Sequence, residues 1–252
     1  MSLSEELKGT AEALVHLLYP AVCQICEGSR ASPDEGLICA QCREDVRYLE
    51  PPYCGRCGLP FEGEFGGDIE CANCREMDLK FDFAQSVVRA TDLIRDVIHR
   101  YKYQRQLWFE PFLGGLLLDR AGERMSDSAW DALVPVPLYP AREREREFNQ
   151  AERLGKWLGK RVGMPVWPDL LRRVRPTTTQ TALTRKQRLD NVRTAFTVRR
   201  PEAVVGRSFI IIDDVLTTGA TASACAALLK RAGAARVGVW TVARATFAPP
   251  VA

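Results

Sequence analysis

A run of thirteen residues constrains the fold of this chain more than any other feature of the sequence. It opens with four apolar residues, Phe209 to Ile212, continues with Asp213 and Asp214, and passes through a threonine- and glycine-rich turn that ends at Thr221. Apolar runs of this kind are typical of buried parallel strands, and the ligands of open α/β sheets bind beyond the carboxyl ends of such strands. The run therefore predicts a strand, a ligand-binding loop and a helix in succession.

The loop in this run has the chemical groups of a phosphate site. Thr217, Thr218 and Thr221 carry hydroxyls, and Gly219 permits a positive φ or a close approach of the backbone to a ligand. Loop N–H groups and the start of a helix attract an anion, while paired carboxylates accept sugar hydroxyls or hold a Mg²⁺-bound water. We therefore expect a sugar with a 5-phosphate here, against the alternative of an ordinary turn whose acids are only solvated. The glycine patterns of a P-loop and of a dinucleotide-binding turn are both missing from this run.

Eight of the nine cysteines form four C-x-x-C pairs in the first third of the chain. Two such turns can complete a tetrahedron of thiolates around Zn²⁺, so we predict two structural zinc ions. We pair the turns sequentially and leave an interleaved arrangement open. The predicted ligands are Cys23, Cys26, Cys39 and Cys42 in the first site and Cys54, Cys57, Cys71 and Cys74 in the second. Four thiolates leave no position for water, which argues against catalysis at zinc.

Disulfide bonds and a redox role are the alternatives for these cysteines. The polar, acidic segment from Met1 to Thr10 does not resemble a secretory signal, so an oxidising compartment is not expected. No apolar stretch reaches the ~20 residues that span a bilayer. We therefore expect a cytoplasmic protein that is not membrane-spanning. The zinc sites are expected to stabilise the fold, with a docking surface or a nucleic-acid contact as the alternative. The ninth cysteine, Cys225, is expected to be a small buried helix residue.

The net charge of +3 conceals a division along the chain. Residues 1–80 contain 15 acidic and 7 basic side chains, whereas residues 81–252 contain 17 acidic and 28 basic side chains. Phosphate-bearing ligands are therefore expected in the second segment. We predict that residues 1–80 form an N-terminal helix and the zinc region, and that residues 81–252 form an α/β domain with a parallel sheet flanked by helices.

Hydrophobic periodicity predicts the order of elements in this second domain. The predicted strands are Phe83–Ala90, Asp131–Val136, Leu170–Val174, Ala195–Val198, Phe209–Ile212 and Val237–Ala243. The predicted helices are Ile94–Trp108, Asn149–Val162 and Ala220–Ala232, and an amphipathic helix is predicted from Leu7 to Leu18. Strands that alternate with helices indicate a parallel, doubly wound sheet.

Two further clusters carry charges or aromatic rings. Arg142, Arg144 and Arg146 follow a predicted strand end and suit a pyrophosphate, with a solvated basic segment as the alternative. The segment Tyr101–Phe109 mixes aromatic and basic side chains, a combination that can stack the bases of a single strand. We favour the simpler interpretation, a helix that buries some of its aromatic side chains and exposes Lys102.

The run from Phe209 to Thr221 closely resembles the phosphoribosyl pyrophosphate (PRPP) loop of type I phosphoribosyltransferases. Other segments resemble the ComF family of competence-associated proteins, and the similarity extends from Leu17 to about Ala243. These segments are Leu17–Pro20, Lys102, Val134–Leu138, Arg146–Gln150, Gln180, Arg188 and Asn191. Glu147 departs from the family, which usually has glycine there, and we expect its charge to disfavour tight phosphate packing at that position.

The resemblance implies a type I phosphoribosyltransferase-like α/β fold preceded by a small double zinc ribbon whose sites each consist of four cysteines. It implies that PRPP binds with Mg²⁺ and that the ribose 2- and 3-hydroxyls contact Asp213 and Asp214. The other residues that we expect to bind PRPP are Pro137, Arg142, Arg146, Thr217, Thr218, Gly219, Ala220 and Thr221. A mobile loop closes over PRPP in type I transferases, and residues 176–193 occupy that place in the chain. Its candidates for contact with pyrophosphate are Arg185, Lys186 and Arg188. The residues that we predict to be catalytic are Asp213, Asp214, Arg185 and Arg188.

Three functions stay open at this point. The ComF resemblance implies a PRPP-binding protein that handles incoming single-stranded DNA in natural transformation, with a partner helicase at the inner face of the membrane. The second hypothesis is an active Mg²⁺-dependent phosphoribosyltransferase that moves ribose 5-phosphate from PRPP to a nitrogen acceptor. Its weakness is that the sequence contains no identifiable hood for a nucleobase. The third is a scaffold in which the zinc ribbons dock a partner and the pocket is idle.

Overall fold

The computed structural model describes residues 21–61, 71–126, 130–176 and 194–245. The helix predicted from Leu7 to Leu18 and the candidates Arg185, Lys186 and Arg188 of the predicted mobile loop lie outside the described residues. Gln180 and Asn191 lie outside them as well. None of the described helices has the length and hydrophobicity required to cross a bilayer.

A four-stranded parallel sheet forms the centre of the described structure. The six strands of these ranges are β1 (Phe83–Arg89), β2 (Ala132–Pro135), β3 (Leu171–Arg173), β4 (Phe196–Val198), β5 (Ser208–Leu216) and β6 (Arg236–Arg244). The order across the central sheet is β1-β6-β5-β2, and every neighbouring pair is parallel. The four apolar residues from Phe209 to Ile212 have no exposure to water, as expected for an interior strand covered on both faces. The predicted parallel α/β sheet is confirmed.

Seven α-helices accompany the strands in the described ranges. They are α1 (Ala40–Glu44), α2 (Ala72–Glu76), α3 (Asp92–Tyr103), α4 (Glu110–Ser126), α5 (Pro140–Arg146), α6 (Gln150–Val162) and α7 (Ala220–Arg231). α6 shows why the sequence starts and ends a helix where it does. The Asn149 side chain accepts hydrogen bonds from the N–H groups of Ala151 and Glu152 at its start, and Gly163 takes a left-handed φ of 68° at its end.

The prediction that Leu170–Val174 and Ala195–Val198 contribute to the parallel sheet is wrong. As β3 and β4 they pair with each other in antiparallel register, with Leu171 opposite Val198, in a separate two-stranded sheet. Antiparallel partners need no crossover helix, and the chain between these strands contains no predicted helix that could provide one. The two strands therefore form a hairpin that stands apart from the central sheet.

The region after β1 also differs from the prediction. α3 ends at Tyr103 rather than at Trp108, because Arg105 takes a left-handed φ of 55° and a short 3₁₀ turn, Leu107–Phe109, follows. That turn leads into α4, which our periodicity analysis did not predict. α4 contains the pair Gly114 and Gly115, residues that lower helix propensity, and the helix is stabilised instead by buried side chains such as Phe112 and Leu117.

The side chains of β5 alternate between two hydrophobic cores. Ile210 and Ile212 belong to a core with buried residues of α3, α4 and α6, whereas Phe209 and Ile211 belong to a core with buried residues of α7. Each core also contains cysteines of one predicted zinc site: the first site joins the α3–α4 core, and the second joins the α7 core. The cysteine-rich region is therefore packed against both faces of the sheet.

Helices α4 and α6 are in close contact at Gly114. A Cβ added to Gly114 would lie 2.4 Å from the ring of Trp157, whereas one added to the neighbouring Gly115 would meet nothing within 4 Å. We predict that Gly114→Ala lowers the free energy of unfolding by about 1–3 kcal/mol through overpacking. The matched variant Gly115→Ala should raise it by roughly 0.5–1 kcal/mol through helix propensity. Urea denaturation measures both, and equal effects would contradict this helix contact.

Candidate functional site

The loop between β5 and α7 offers backbone donors to a ligand. Gly219 is the N-cap of α7 and has a left-handed φ of 86°, a conformation that favours glycine. Within the described ranges, no acceptor takes the backbone N–H groups of Thr217, Thr218 or Gly219. Successive N–H groups without acceptors, at the start of a twelve-residue helix, form a site suited to an anion.

The threonine hydroxyls of this loop have different surroundings. Thr218 is 1% exposed, and its hydroxyl accepts a hydrogen bond from the Ala220 N–H at 3.3 Å. Thr217 and Thr221 are partly exposed. The hydroxyl of Thr218 therefore supports the turn itself, whereas the hydroxyls of Thr217 and Thr221 are accessible to a ligand.

The two acidic side chains lie at the carboxyl end of β5 and belong to opposite faces of the sheet. Asp214 forms an ion pair with Lys102 of α3, on the face of Ile210 and Ile212. Asp213 lies on the other face, that of Phe209 and Ile211, where Cys225 of α7 is also buried, and its charge helps to raise the pKa of the Cys225 thiol. Alternation along a strand separates neighbouring side chains in this way, so the two carboxylates have different environments.

Asp214 is buried and paired. Its side chain is 4% exposed, its Oδ1 accepts a hydrogen bond from the Val215 N–H at 2.9 Å, and its Oδ2 contacts the Lys102 ammonium. The Lys102 side chain is itself only 17% exposed. The expectation that α3 exposes this lysine is therefore wrong, because a buried carboxylate requires a cationic partner and Lys102 provides it.

Asp213 has a strongly raised pKa. Burial is the larger cause and the neighbouring charge of Asp214 the second, and together they raise the pKa of Asp213 to about 8. Lys102 and the hydrogen bond that Asp213 accepts from the Asp214 N–H at 2.9 Å act in the opposite direction. A divalent cation or the hydroxyls of a sugar would favour the ionised form of Asp213.

Arg173 belongs to the same site, and the sequence analysis did not identify it. It is the last residue of β3, and burial lowers its pKa. The positive charge of Arg142 acts in the same direction, whereas the charges of Cys225 and Asp213 oppose it. Arg173 therefore interacts electrostatically with Arg142 and with Asp213. A guanidinium near a carboxylate of the candidate site suits the charge of a pyrophosphate.

Arg146 and Glu147 end α5 in different ways. The Arg146 guanidinium donates hydrogen bonds to Gln150 Oε1 at 3.0 Å and to the Tyr103 hydroxyl at 2.9 Å, and it lies over the Tyr103 ring. Glu147 has a left-handed φ of 67° and pairs with Arg105 at 2.8 Å. A left-handed backbone at this position is by itself sufficient reason for the family to have glycine there. Our expectation was a different one, that the position packs tightly against a phosphate. Phosphate binding by Arg146 stays a prediction.

Each group of four cysteines converges on one point. All ligand atoms of the first group (Cys23, Cys26, Cys39 and Cys42) lie within 4.8 Å of one another, and the same holds for the second group (Cys54, Cys57, Cys71 and Cys74). Sulfur–sulfur distances of 3.4 and 3.8 Å in the second group compare with the edge of about 3.8 Å of a tetrahedron with Zn–S bonds of 2.3 Å. The sequential pairing is confirmed, and the donor set fits structural zinc.

Two domain families match the chain: a double zinc ribbon domain over residues 14–76 and a phosphoribosyl transferase domain over residues 160–246. Competence protein F of Haemophilus influenzae is 31% identical over 229 residues, 88% of this chain and 96% of that protein. DNA utilization protein YhgH of Salmonella typhimurium is 32% identical over 231 residues, 90% of this chain and 99% of that protein. Competence protein ComFC of Bacillus subtilis is 27% identical over 215 residues, 84% of this chain and 85% of that protein. The predicted zinc ribbon and phosphoribosyltransferase fold are thereby confirmed.

The ion pair of Lys102 and Asp214 leads to a double-variant prediction. Lys102→Met leaves a buried carboxylate without its counter-ion and should lower the free energy of unfolding by about 3–5 kcal/mol. Adding Asp214→Asn removes the uncompensated charge, so the double variant should recover a large part of that loss. Denaturant unfolding of the two single variants and the double variant measures the coupling. Additive losses would contradict a direct interaction between the two side chains.

Proposed function

This chain belongs to the ComF family of competence-associated proteins, and on that premise we propose that it binds PRPP with Mg²⁺ and handles incoming single-stranded DNA in natural transformation. One observation carries the ligand assignment: the N–H groups of Thr217, Thr218 and Gly219 have no acceptor in the described ranges, and they begin three residues after a carboxylate pair. The relatives named competence protein and DNA utilization protein support the cellular role.

The 5-phosphate of the ribose would bind at the start of α7. The loop N–H groups would donate to its oxygens, with the hydroxyls of Thr217 and Thr221 at its sides. Ala220 would contribute as the first residue of the helix. This arrangement uses backbone dipoles and needs no cationic side chain in the loop, in agreement with the absence of lysine and arginine from residues 213–221.

The ribose hydroxyls and the metal would bind at the end of β5. We propose that Asp213, the more exposed carboxylate, accepts from a hydroxyl or from a water on Mg²⁺, and that Asp214 is the second acceptor. At the pyrophosphate end we propose Pro137, Arg142 and Arg146, and we add Arg173 because its charge interacts with that of Asp213. The roles of Arg185 and Arg188 stay proposals for a segment outside the described residues.

Transfer of the phosphoribosyl group is the second candidate function. A cavity of about 410 Å³ beside the end of β2 is lined by Pro137, Leu138, Arg172 and Arg173, among others, and its volume would accommodate a small acceptor. The reaction would depend on positioning and charge stabilisation, with no nucleophilic side chain of the protein. Pyrophosphate release from PRPP on addition of a nitrogen base would identify the transferase, and PRPP binding without release would identify a binding protein.

A surface near α3 could contact single-stranded DNA. Tyr103 is 56% exposed and Trp108 is 41% exposed, and Arg105 lies between them with about half of its side chain exposed. Exposed aromatic rings with adjacent cations stack bases without sequence preference. Tyr101 and Phe109 of the same segment are buried, as the simpler interpretation predicted. A partner helicase, and a location in the cytoplasm at the inner face of the membrane, are further parts of this proposal.

We predict that Mg²⁺ and PRPP bind together in isothermal titration calorimetry. Asp213→Asn should weaken this binding at least tenfold, because a hydrogen bond to a charged acceptor contributes roughly 1.5–3 kcal/mol. Asp92→Asn is the matched control: Asp92 is a fully exposed carboxylate at the start of α3, and its substitution should leave affinity unchanged. Equal affinities of the Asp213 and Asp92 variants would overturn the assignment of Asp213.

The same titrations should depend on pH. Because the pKa of Asp213 is raised to about 8, the ionised form that Mg²⁺ favours becomes abundant only as pH rises through that value, so affinity should increase from pH 7 to pH 9 in the wild type and not in Asp213→Asn. The stability of the ligand-free protein should change in the opposite direction. The unfolded carboxyl ionises near 3.8, so the folded state loses its relative stability between about pH 4 and pH 8.

For the DNA-binding surface we predict that Trp108→Ala weakens binding of an oligo-dT about tenfold, since stacking contributes roughly 1–3 kcal/mol per base. Val205→Ala is the control, because Val205 is also an exposed apolar residue, at 67% exposure. It packs beside Gly233, the glycine that follows α7, and is not part of the segment Tyr101–Phe109. Fluorescence anisotropy at two salt concentrations measures both. If Trp108→Ala binds like the wild type, this surface is not the DNA site.

A further inference from the structure

Arg244 connects the second cysteine site to the candidate phosphate loop. It is the last residue of β6, and it has no exposure to water. One guanidinium nitrogen, Nη1, donates to the carbonyl oxygens of Leu216, at 2.9 Å, and Thr217. The other, Nη2, lies 3.9 Å from the Sγ atom of Cys57. A single buried side chain thus contacts a predicted zinc ligand and two backbone groups at the entry to the loop.

The charge of Arg244 requires an anionic neighbour. In the described part of the chain no carboxylate pairs with Arg244, and its Nε has no hydrogen-bond partner. Leaving a guanidinium buried without a compensating charge is costly, and neutral thiols do not supply one. Four thiolates around Zn²⁺ carry a net negative charge, and groups outside the ligands commonly orient and stabilise them. The second cysteine site, with a zinc ion bound, would therefore compensate the charge of Arg244, whose Nη2 faces Cys57.

The second site also holds the next carbonyl of the loop. Asn73 lies in α2 between the ligands Cys71 and Cys74, has no exposure to water, and donates to the Thr218 carbonyl at 3.2 Å. In a planar trans peptide the C=O group and the following N–H group point in opposite directions. The Leu216 carbonyl also accepts from the Ala245 N–H at 3.0 Å, whereas the side chains of Arg244 and Asn73 are the donors to Thr217 and Thr218. Because the carbonyls of these three consecutive residues are held in this way, the N–H groups of Thr217, Thr218 and Gly219 are turned away from the cysteine site.

The segment that follows the second site reinforces this contact. A Cβ on Gly219 would lie 3.4 Å from the ring of Phe81 and 3.5 Å from Leu79, so these side chains pack directly against the loop. The Lys80 N–H donates to the Ser223 hydroxyl in the first turn of α7 at 3.0 Å. By contrast, no hydrogen bond joins residues 23–42 of the first site to residues 213–221 in the described ranges.

We propose that the second cysteine site, through Arg244 and Asn73, orients the backbone donors that bind the ribose 5-phosphate, whereas the first site does not. This inference rests on the proposed function, since it concerns the same loop. Arg244 and Asn73 are then positioning residues. Coupling between two sites is reciprocal, so a bound sugar phosphate must in turn alter the second metal site.

The experiment is ¹¹³Cd NMR on the full-length protein with ¹¹³Cd²⁺ in both sites and each resonance assigned through couplings to the Hβ protons of its cysteines. Ribose 5-phosphate with Mg²⁺ is added, and its binding is measured independently by calorimetry. The second-site resonance should shift with the calorimetric binding curve, and the first-site resonance should stay in place. Binding with no shift at the second site, or with equal shifts at both, would overturn the proposal.

Variants of Arg244 provide a second test of the proposal. Arg244→Met should weaken ribose 5-phosphate binding at least tenfold and abolish the second-site shift, whereas Arg236→Met, the same change at the other end of β6, should do neither. If Arg244→Met does not fold, Arg244→Lys keeps the charge but cannot bridge the sulfur and both carbonyls. It should retain two metal ions and still bind at least fivefold more weakly. If Arg244→Lys binds ribose 5-phosphate with wild-type affinity, the bridge that the guanidinium forms between the sulfur and the two carbonyls is not required, and the proposal is wrong.

The proposed function and the role of Arg244 can be overturned separately. Absence of any binding by the wild type overturns the proposed function and this inference together. Binding by the wild type that is insensitive to Arg244 leaves the proposed function intact and overturns the inference alone.

Discussion

The hydrogen bonds to the carbonyls of Leu216, Thr217 and Thr218 are the interactions on which the candidate site depends. A loop can present its N–H groups to an anion only when its carbonyls are satisfied elsewhere. The side-chain donors, Arg244 and Asn73, are buried and come from the last strand and from the cysteine-rich region, and the Ala245 N–H also donates to Leu216. The geometry of the loop is therefore a property of the whole domain rather than of the loop sequence.

Charges around the end of β5 follow from the alternation of its side chains. The strand directs Asp214 toward Lys102 and Asp213 toward Arg173, in two different cores. Two cations, Lys102 and Arg173, thus face two carboxylates, and the raised pKa of Asp213 leaves that carboxyl largely protonated at pH 7. The site consequently has a surplus of positive charge, which is the electrostatic condition for a ligand with several phosphates.

The sequence predicted the local features of this protein well and its long-range contacts poorly. The strand, loop and helix around Asp213 and the sequential pairing of the cysteines depend on neighbouring residues, and both agree with the structure. Three basic side chains contact the site from elements that are distant in the sequence: Lys102, Arg173 and Arg244. Hydrophobic periodicity does not predict which charged side chains are buried. One feature of the sequence could have identified Arg244. It follows the apolar run of β6, in which Val237–Ala243 are all buried, and a charged residue in such a run is rarely buried without a partner. The helix α4 was not predicted because Gly114 and Gly115 interrupt its hydrophobic periodicity.

The central claim is that the β5–α7 loop binds the phosphate of a phosphorylated ribose through its backbone. A crystal structure of the protein with ribose 5-phosphate and Mg²⁺ tests it most directly. We expect phosphate oxygens within hydrogen-bond distance of the N–H groups of Thr217, Thr218 and Gly219, with Arg244 still bound to the Leu216 and Thr217 carbonyls. A phosphate bound elsewhere, or a loop whose carbonyls have rotated toward the ligand, would contradict it.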